Sequence, residues 1–330
     1  MRIHLPAGAW IGNIDQFIRS FDTSDEKVLE ITSHEKWVSV HPVVLCMITA
    51  LGLFMRKHKS KINFQKMEAK SKHYFERMGL FRALDLNSEM TIISHDPTGR
   101  FIPIQKITNS EELDNFIKEM IPLLHVGPSH AEPIKYVMSE LVRNVLEHAN
   151  TTDGAIVCAQ YYKKSNTIRL GVVDTGLGIK STLFRYYHPK TDSDAILLAL
   201  TPGVTGTTKK VGGTEFNAGA GLFFIKSLAK IKRNNFMIYS GNGMYKLLKT
   251  QKGKQIKILT DPRMDRISCG NNFPFWRGTV VAIDLCLDED IDFKRLLDLI
   301  GEAYREAYRE AKRGQAFRYK RPRFLDGNKT

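Results

Sequence analysis

Between Ala131 and Ala149 the chain sets Ile134, Val137, Met138, Leu141, Val142, Val145 and Leu146 at i, i+3, i+4, i+7 and i+8 spacing. Only a helix gathers residues so spaced onto one face, so this stretch predicts a long amphipathic helix that needs an apolar surface to lie on. Ser129 and Glu132 in front of it form the Ser-x-x-Glu pattern of a capping box, in which the serine oxygen and the glutamate satisfy free amides reciprocally. Two β-branched runs follow, GAIVCAQYY (154–162) and TIRLGVVD (167–174), and they read as paired strands. A helix with one apolar side next to such strands predicts an α/β architecture.

The flanking sequence extends this reading. VLEI (28–31), WVSV (37–40) and KINFQKM (61–67) read as strands. Pro42 suits a first helical turn, and the apolar run after it predicts a helix to about Met55. SKHYFERMGLFRALDL (71–86) has helical spacing, with Gly79 as a stop. Residues 1–105 therefore predict a small α/β unit, with SHDPTGRFIP (94–103) as the connector and a boundary near residue 105. Residues 106–287 form the second unit. They open on a helix over 107–124 capped at Asn109 or Ser110, continue through a Gly-Asn-Gly hairpin in 236–248, and close on a strand in 278–285. Residues 288–330 predict a helix and a basic tail.

Composition narrows the function classes. A chain of 330 residues accommodates about two domains at ~100–200 residues each. Lys plus Arg outnumber Asp plus Glu by 49 to 35, and the net charge of +14 favours acidic partners such as nucleotides or nucleic acid. The four cysteines, Cys46, Cys158, Cys269 and Cys286, contain no CxxC pair, which excludes a zinc ribbon or a thioredoxin-like motif. Reduced thiols, no apolar leader at the N-terminus, and a longest apolar run (Val43 to Met55) shorter than the ~20 residues of a membrane span predict a cytoplasmic protein with no membrane partner.

Three pieces carry chemistry. Glu140, Asn144 and His148 lie four residues apart and form one polar stripe beside the apolar face of the helix. A carboxylate there can take a proton from water, and an amide oxygen one turn on can ligate Mg²⁺, a cation that favours oxygen. The second piece is Asp174-Thr175-Gly176-Leu177-Gly178-Ile179, directly after the strand LGVV. A carboxylate at that strand end can accept from an exocyclic amine, and the glycines let the backbone turn beside a flat ring. The third is TPGVTGTTKKVGGTEFNAGAGLFFIKSLAKI (201–231), which ends in Gly219-Ala220-Gly221-Leu222 opening a helix. Free amides at a helix N-terminus suit phosphate, and Thr205, Thr207, Thr208, Lys209 and Lys210 can close over it. Each piece alone has an ordinary reading, as a solvated helix face, a turn and a linker. Their order along one chain fits a single site.

With these residues in view, residues 107–286 resemble the GHKL ATP-binding fold of DNA gyrase, heat-shock chaperones, histidine kinases and MutL. ELVRNVLEHA (140–149) is similar to its N box, DTGLGI (174–179) to its first glycine box, NAGAGLFFIKSLA (217–229) to its second, and RGTVVAIDL (277–285) to its closing strand. The resemblance implies an α/β sandwich with a mixed sheet, ATP and Mg²⁺ as ligands, and a bacterial origin. It implies Glu140 as general base, Asn144 as the Mg²⁺ ligand and Asp174 as the acceptor of the adenine amino group. It further implies Gly176, Gly178 and Ile179 around adenine, Thr279 supporting that site, Gly219, Gly221 and Leu222 at the phosphates, and Thr208 and Lys209 in the lid. His148 either lines the site or packs. Residues 1–90 resemble a STAS-like domain, on the order of elements and on YFERMGLF (74–81). Where such domains present a phospho-accepting Asp-Ser, this chain has Ser39-Val40-His41-Pro42, which favours a docking or dimerisation platform.

Three functions follow from the resemblance. One is a slow ATPase that switches conformation for an unidentified protein partner, with a second copy of the chain as an open alternative. Another is a serine/threonine kinase of the anti-sigma-factor type using the same base. The last is an ATP-gated nucleic-acid binder, as in defence systems, using Tyr304, Tyr308, Phe317, Tyr319 and Phe324 between the basic residues of 305–324. A sensor histidine kinase is disfavoured, because Gly127-Pro128 interrupts the segment that holds His125 and His130.

Overall fold

The computed structural model describes residues 1–22, 27–65, 71–86, 101–124, 128–206, 219–251, 253–287 and 292–311. The first of its elements are β1 (Arg2–Leu5), β2 (Gly8–Ala9), α1 (Ile14–Arg19), β3 (Val28–Ser33), β4 (Ser39–Val40), α2 (Pro42–Lys57), β5 (Lys61–Phe64), α3 (Lys72–Arg77) and α4 (Leu80–Ala83). There follow β6 (Phe101–Ile107), α5 (Ser110–Leu124), α6 (Pro128–His148), β7 (Ala155–Tyr162), β8 (Thr167–Val173), α7 (Ile179–Tyr187) and α8 (Asp192–Ala199). The chain continues through α9 (Gly221–Ile231), β9 (Phe236–Gly241), β10 (Gly243–Leu247), β11 (Ile267–Gly270), β12 (Trp276–Cys286) and α10 (Phe293–Ala311). The class is mixed α/β. No helix among the described residues is long and apolar enough to cross a membrane.

A seven-stranded sheet in the order β11-β10-β9-β12-β8-β7-β6 is the backbone of the molecule. Every neighbouring pair in it is antiparallel, where a mixed sheet was expected. The connections explain this. β7 turns straight into β8 through Asn166 in the left-handed region, β9 turns into β10 at Gly241, and β12 runs against both β8 and β9. The parallel pairs belong to β1-β3-β5 and to the short β2-β4 pair.

Alternate residues of the central strands feed two cores. Ala155, Val157 and Ala159 of β7 and Leu170 and Val172 of β8 meet α5, α6, α9 and α10 on one face. Ile156 and Cys158 of β7 and Val173 of β8 meet the N-terminal segment on the other. There α2 lies on β7 and β8, closely enough that a Cβ on Gly171 would come within 2.5 Å of the Val43 backbone. Pro42 occupies the first turn of α2, and the His41 ring accepts from the Val43 amide at 3.1 Å. Accepting at Nδ1 leaves the proton of the neutral ring on Nε2, which faces Asp284 of β12 at 3.4 Å.

Several expectations meet their outcome here. The strand-helix-strand-helix order of the N-terminal segment is present as β3, α2, β5 and α3. Of WVSV only Ser39–Val40 pairs, and Trp37 is 53% exposed. Gly79, at φ +79, divides the helix expected over 71–86 into α3 and α4. The boundary placed near residue 105 falls inside β6, the edge strand of the large sheet. Helix α6 begins at Pro128, ahead of Ser129, so Ser129 lies in its first turn, and that serine's side chain is outside the described ones.

Candidate active site

One pocket opens between α6, the β8–α7 turn and the start of α9. Its lining includes Glu140, Asn144, His148, Asp174, Gly178, Ile179, Gly219, Gly221, Leu222 and Thr279. These come from all three chemical pieces of the sequence and from the closing strand. The α6 stripe faces inward because the same helix buries Leu141, Val142 and Val145 against the sheet, which turns positions 140, 144 and 148 to its margin. Helix α9 presents its N-terminus next to the stripe, and a Cβ on Gly221 would reach 2.5 Å from the Glu140 carboxylate. Glycine is what allows this approach.

Asp174 directly follows β8 and is 2% exposed. Its Oδ1 accepts from the Gly176 amide at 2.7 Å, and its own amide donates to the Thr279 carbonyl at 2.9 Å. Burial raises its pKa to about 6, with hydrogen bonds from Gly176 and Thr279 working the other way. Glu140 is also raised, chiefly by burial; Arg143, 3.6 Å away, opposes the shift. Burial lowers the His148 imidazole. The Asn144 side-chain nitrogen is buried without a hydrogen-bond partner among the described residues.

Gly176 is the one described member of the expected set that does not line the pocket. It sits under the C-terminal end of α6, where a Cβ would come within 2.1 Å of the Ala149 carbonyl, the same oxygen that accepts from the Leu177 amide at 2.8 Å. Its part is to dock the turn on the helix. Thr207, Thr208, Lys209 and Lys210 lie outside the described residues. Thr205 is described, buried and part of the lining.

Other lining residues carry no motif. Thr182 and Leu183 of α7, Ala199 of α8, and Val204 and Gly206 complete the wall. Ser240 of β9 accepts from the Ile179 amide at 3.0 Å and donates to the Gly278 carbonyl at 2.7 Å, tying the turn to the strand behind it. Two lysines of α9 point away from the pocket. Lys226 donates to Asp265 at 2.7 Å and to the Leu259 carbonyl at 2.8 Å, and Lys230 also pairs with Asp265. The cations of this helix thus anchor the loop before β11.

In the C-terminal helix, Tyr304 and Tyr308 are 2% and 6% exposed. Tyr304 packs against Phe223 and Phe224 of α9 and stacks on Tyr308. Neither ring is free to stack on a base. Residues 312–330 of the basic tail lie outside the described residues. No family model matches the chain, and no curated protein matches it.

Proposed function

We propose that the chain binds Mg·ATP in the pocket between α6 and α9 and hydrolyses it slowly, as a nucleotide-driven switch of the GHKL kind. One observation carries this reading: residues from four separate stretches, 140–148, 174–179, 219–222 and Thr279, line a single pocket. Each has a distinct task. Asp174 accepts from the adenine amino group at the floor. Gly219 and Gly221 offer backbone amides at the positive end of α9, where phosphate is favoured. Glu140, raised by burial, stands where it can take the proton of an attacking water, and a base poised toward neutrality is the more effective.

The Asn144 amide has an oxygen of the type Mg²⁺ favours, and its nitrogen, buried without a partner among the described residues, is a donor that a phosphate oxygen would satisfy. Among the described residues no cluster of three or more acidic, His or Cys side chains could hold a metal alone. Mg²⁺ would therefore enter with the phosphates, where it neutralises their charge. The N-terminal layer, a STAS-like unit in this reading, is the platform for a protein partner.

The test is γ-labelled ATP with purified protein and Mg²⁺, following free phosphate and labelled protein, with Glu140→Ala in parallel. The expected outcome is slow phosphate release that falls by about 10²–10⁴-fold in Glu140→Ala, the usual worth of a general base, with ATP binding retained. Normal hydrolysis by that variant rejects Glu140 as the base. Label on a cognate protein in place of free phosphate makes the chain a protein kinase with the same base.

A further inference from the structure

The backbone that carries the Asp174 carboxylate is pinned on both sides. Its amide donates to the Thr279 carbonyl at 2.9 Å, and its carbonyl accepts from the indole Nε1 of Trp276 at 3.2 Å. Strand β12 makes both contacts. Trp276 pairs with Gly241 and Thr279 with Ser240, so Arg277 and Gly278 form a bulge between them. A bulge re-aims the side chains beside it. Here it brings the indole N–H to Asp174, and Gly278, at φ +94, leaves the room: a Cβ there would lie 2.3 Å from the same carbonyl.

Trp276 is 2% exposed and does not line the pocket. It belongs to the opposite core, with its ring 6.1 Å from Tyr239. The loop before it is held independently. Asn242 donates to the Phe273 carbonyl at 2.8 Å, and Arg19 of α1 donates to the Asn272 carbonyl at 2.9 Å while covering the Phe273 ring. The indole is thus fixed by its surroundings, and a buried indole N–H needs an acceptor. Capping the Asp174 carbonyl fixes the peptide that starts the turn to Gly176, whose amide then meets Oδ1 at 2.7 Å. The direction of the carboxylate follows.

We propose that Trp276 is a positioning residue for base selectivity: through Asp174 it sets the preference for a 6-amino purine over a 6-oxo purine. This rests on the nucleotide reading above. A 6-amino group donates to the carboxylate, whereas a 6-oxo group brings a second acceptor against it. Loss of the indole donor therefore weakens ATP and leaves GTP alone, while a general loosening of the core weakens both.

Calorimetric titrations of the full chain, Trp276→Phe and Asp174→Asn with Mg·ATP and Mg·GTP test this. Phenylalanine keeps a ring against Tyr239 and removes the donor. The expected result is a preference for ATP in the unaltered chain, a loss of about 3- to 10-fold in ATP affinity in Trp276→Phe, the worth of one hydrogen bond, and GTP affinity within about twofold by the same measure. Equal losses for both nucleotides, or no loss, overturn the role of Trp276 and leave the site standing. Absence of ATP binding by the unaltered chain overturns both. Should Trp276→Phe not fold, the ¹⁵N-indole signal of Trp276 decides, assigned with Trp10→Phe and Trp37→Phe. It should shift with ATP and stay with GTP; no shift with ATP overturns the proposal.

Discussion

At Asp174 one carboxyl answers two demands. It must be buried to stand at the floor of the pocket, and in the proposed ATP site it must be ionised to accept from the adenine amino group. Burial wins part of the contest and lifts its pKa to about 6, against about 3.9 for an exposed aspartate. The sign of the pH effect follows. Above about pH 6 the folded chain presents a carboxylate that welcomes the donor; below it the carboxyl is protonated and a donor meets a weaker acceptor. ATP affinity should therefore fall as pH drops through 6, and Asp174→Asn should flatten that profile while binding more weakly throughout. Calorimetry from pH 5 to 8 with both proteins checks it, and parallel profiles for the two would remove Asp174 from the adenine contact. Glu140 has the same requirement in the proposed reaction: it accepts a proton only when ionised, and the burial that raises it makes that carboxylate the stronger base.

At the scale of elements, the approach of α2 to β8 is set by the absence of a side chain at Gly171. A methyl there would come within 2.5 Å of the Val43 backbone, and backbone cannot rotate away as a side chain can. Gly171→Ala should destabilise the fold by about 1–3 kcal/mol, as overpacking does, measurable as a lowered midpoint in urea with the pocket residues untouched. Unchanged stability would mean that α2 does not sit on the sheet as described. Local sequence made some elements legible and hid others. The stripe of α6, the turn at Asp174 and the glycines opening α9 were legible because helix period and strand-end glycines are local signals. Helices α7 and α8, which wall the pocket, were missed. IKSTLFRYY is only nine residues long and buries only Leu183, and α8 is shorter still, although Thr191 and Asp194 form a capping box in front of it. Trp276 was missed because the bulge that aims its indole depends on the partner strand. The antiparallel run of the sheet was missed for the same reason, since direction belongs to pairs of strands and not to either alone.

At the scale of the molecule, the central sheet is buried on both faces, and the strand sequences agree with this: AIVC and LGVV are continuous apolar runs, with no alternating polar face left for solvent. The N-terminal layer is thus part of the fold that holds the candidate pocket. In α2, Val43, Val44, Leu45, Met47, Ile48 and Met55 are buried. At ~1.5–3 kcal/mol each they contribute on the order of 10 kcal/mol, comparable with the ~5–15 kcal/mol by which a whole domain is stable. A fragment beginning at residue 106 should therefore fail to fold, and the full chain should unfold in one transition, coincident by near- and far-UV circular dichroism. Two separated transitions would mean that the layers are independent. The junction also carries its own timekeeper. Cys46 of α2 and Cys158 of β7 lie 3.3 Å apart with neither thiol exposed, and Cys158 donates to the Pro42 carbonyl at 3.1 Å. Cys269 is exposed and Cys286 half-buried. An alkylating reagent thus meets two kinds of sulfur: one pair that it reaches from solvent, and one that waits for α2 to lift from the sheet. The slow rate counts those openings directly, and any ligand that grips both layers should make the clock run slower.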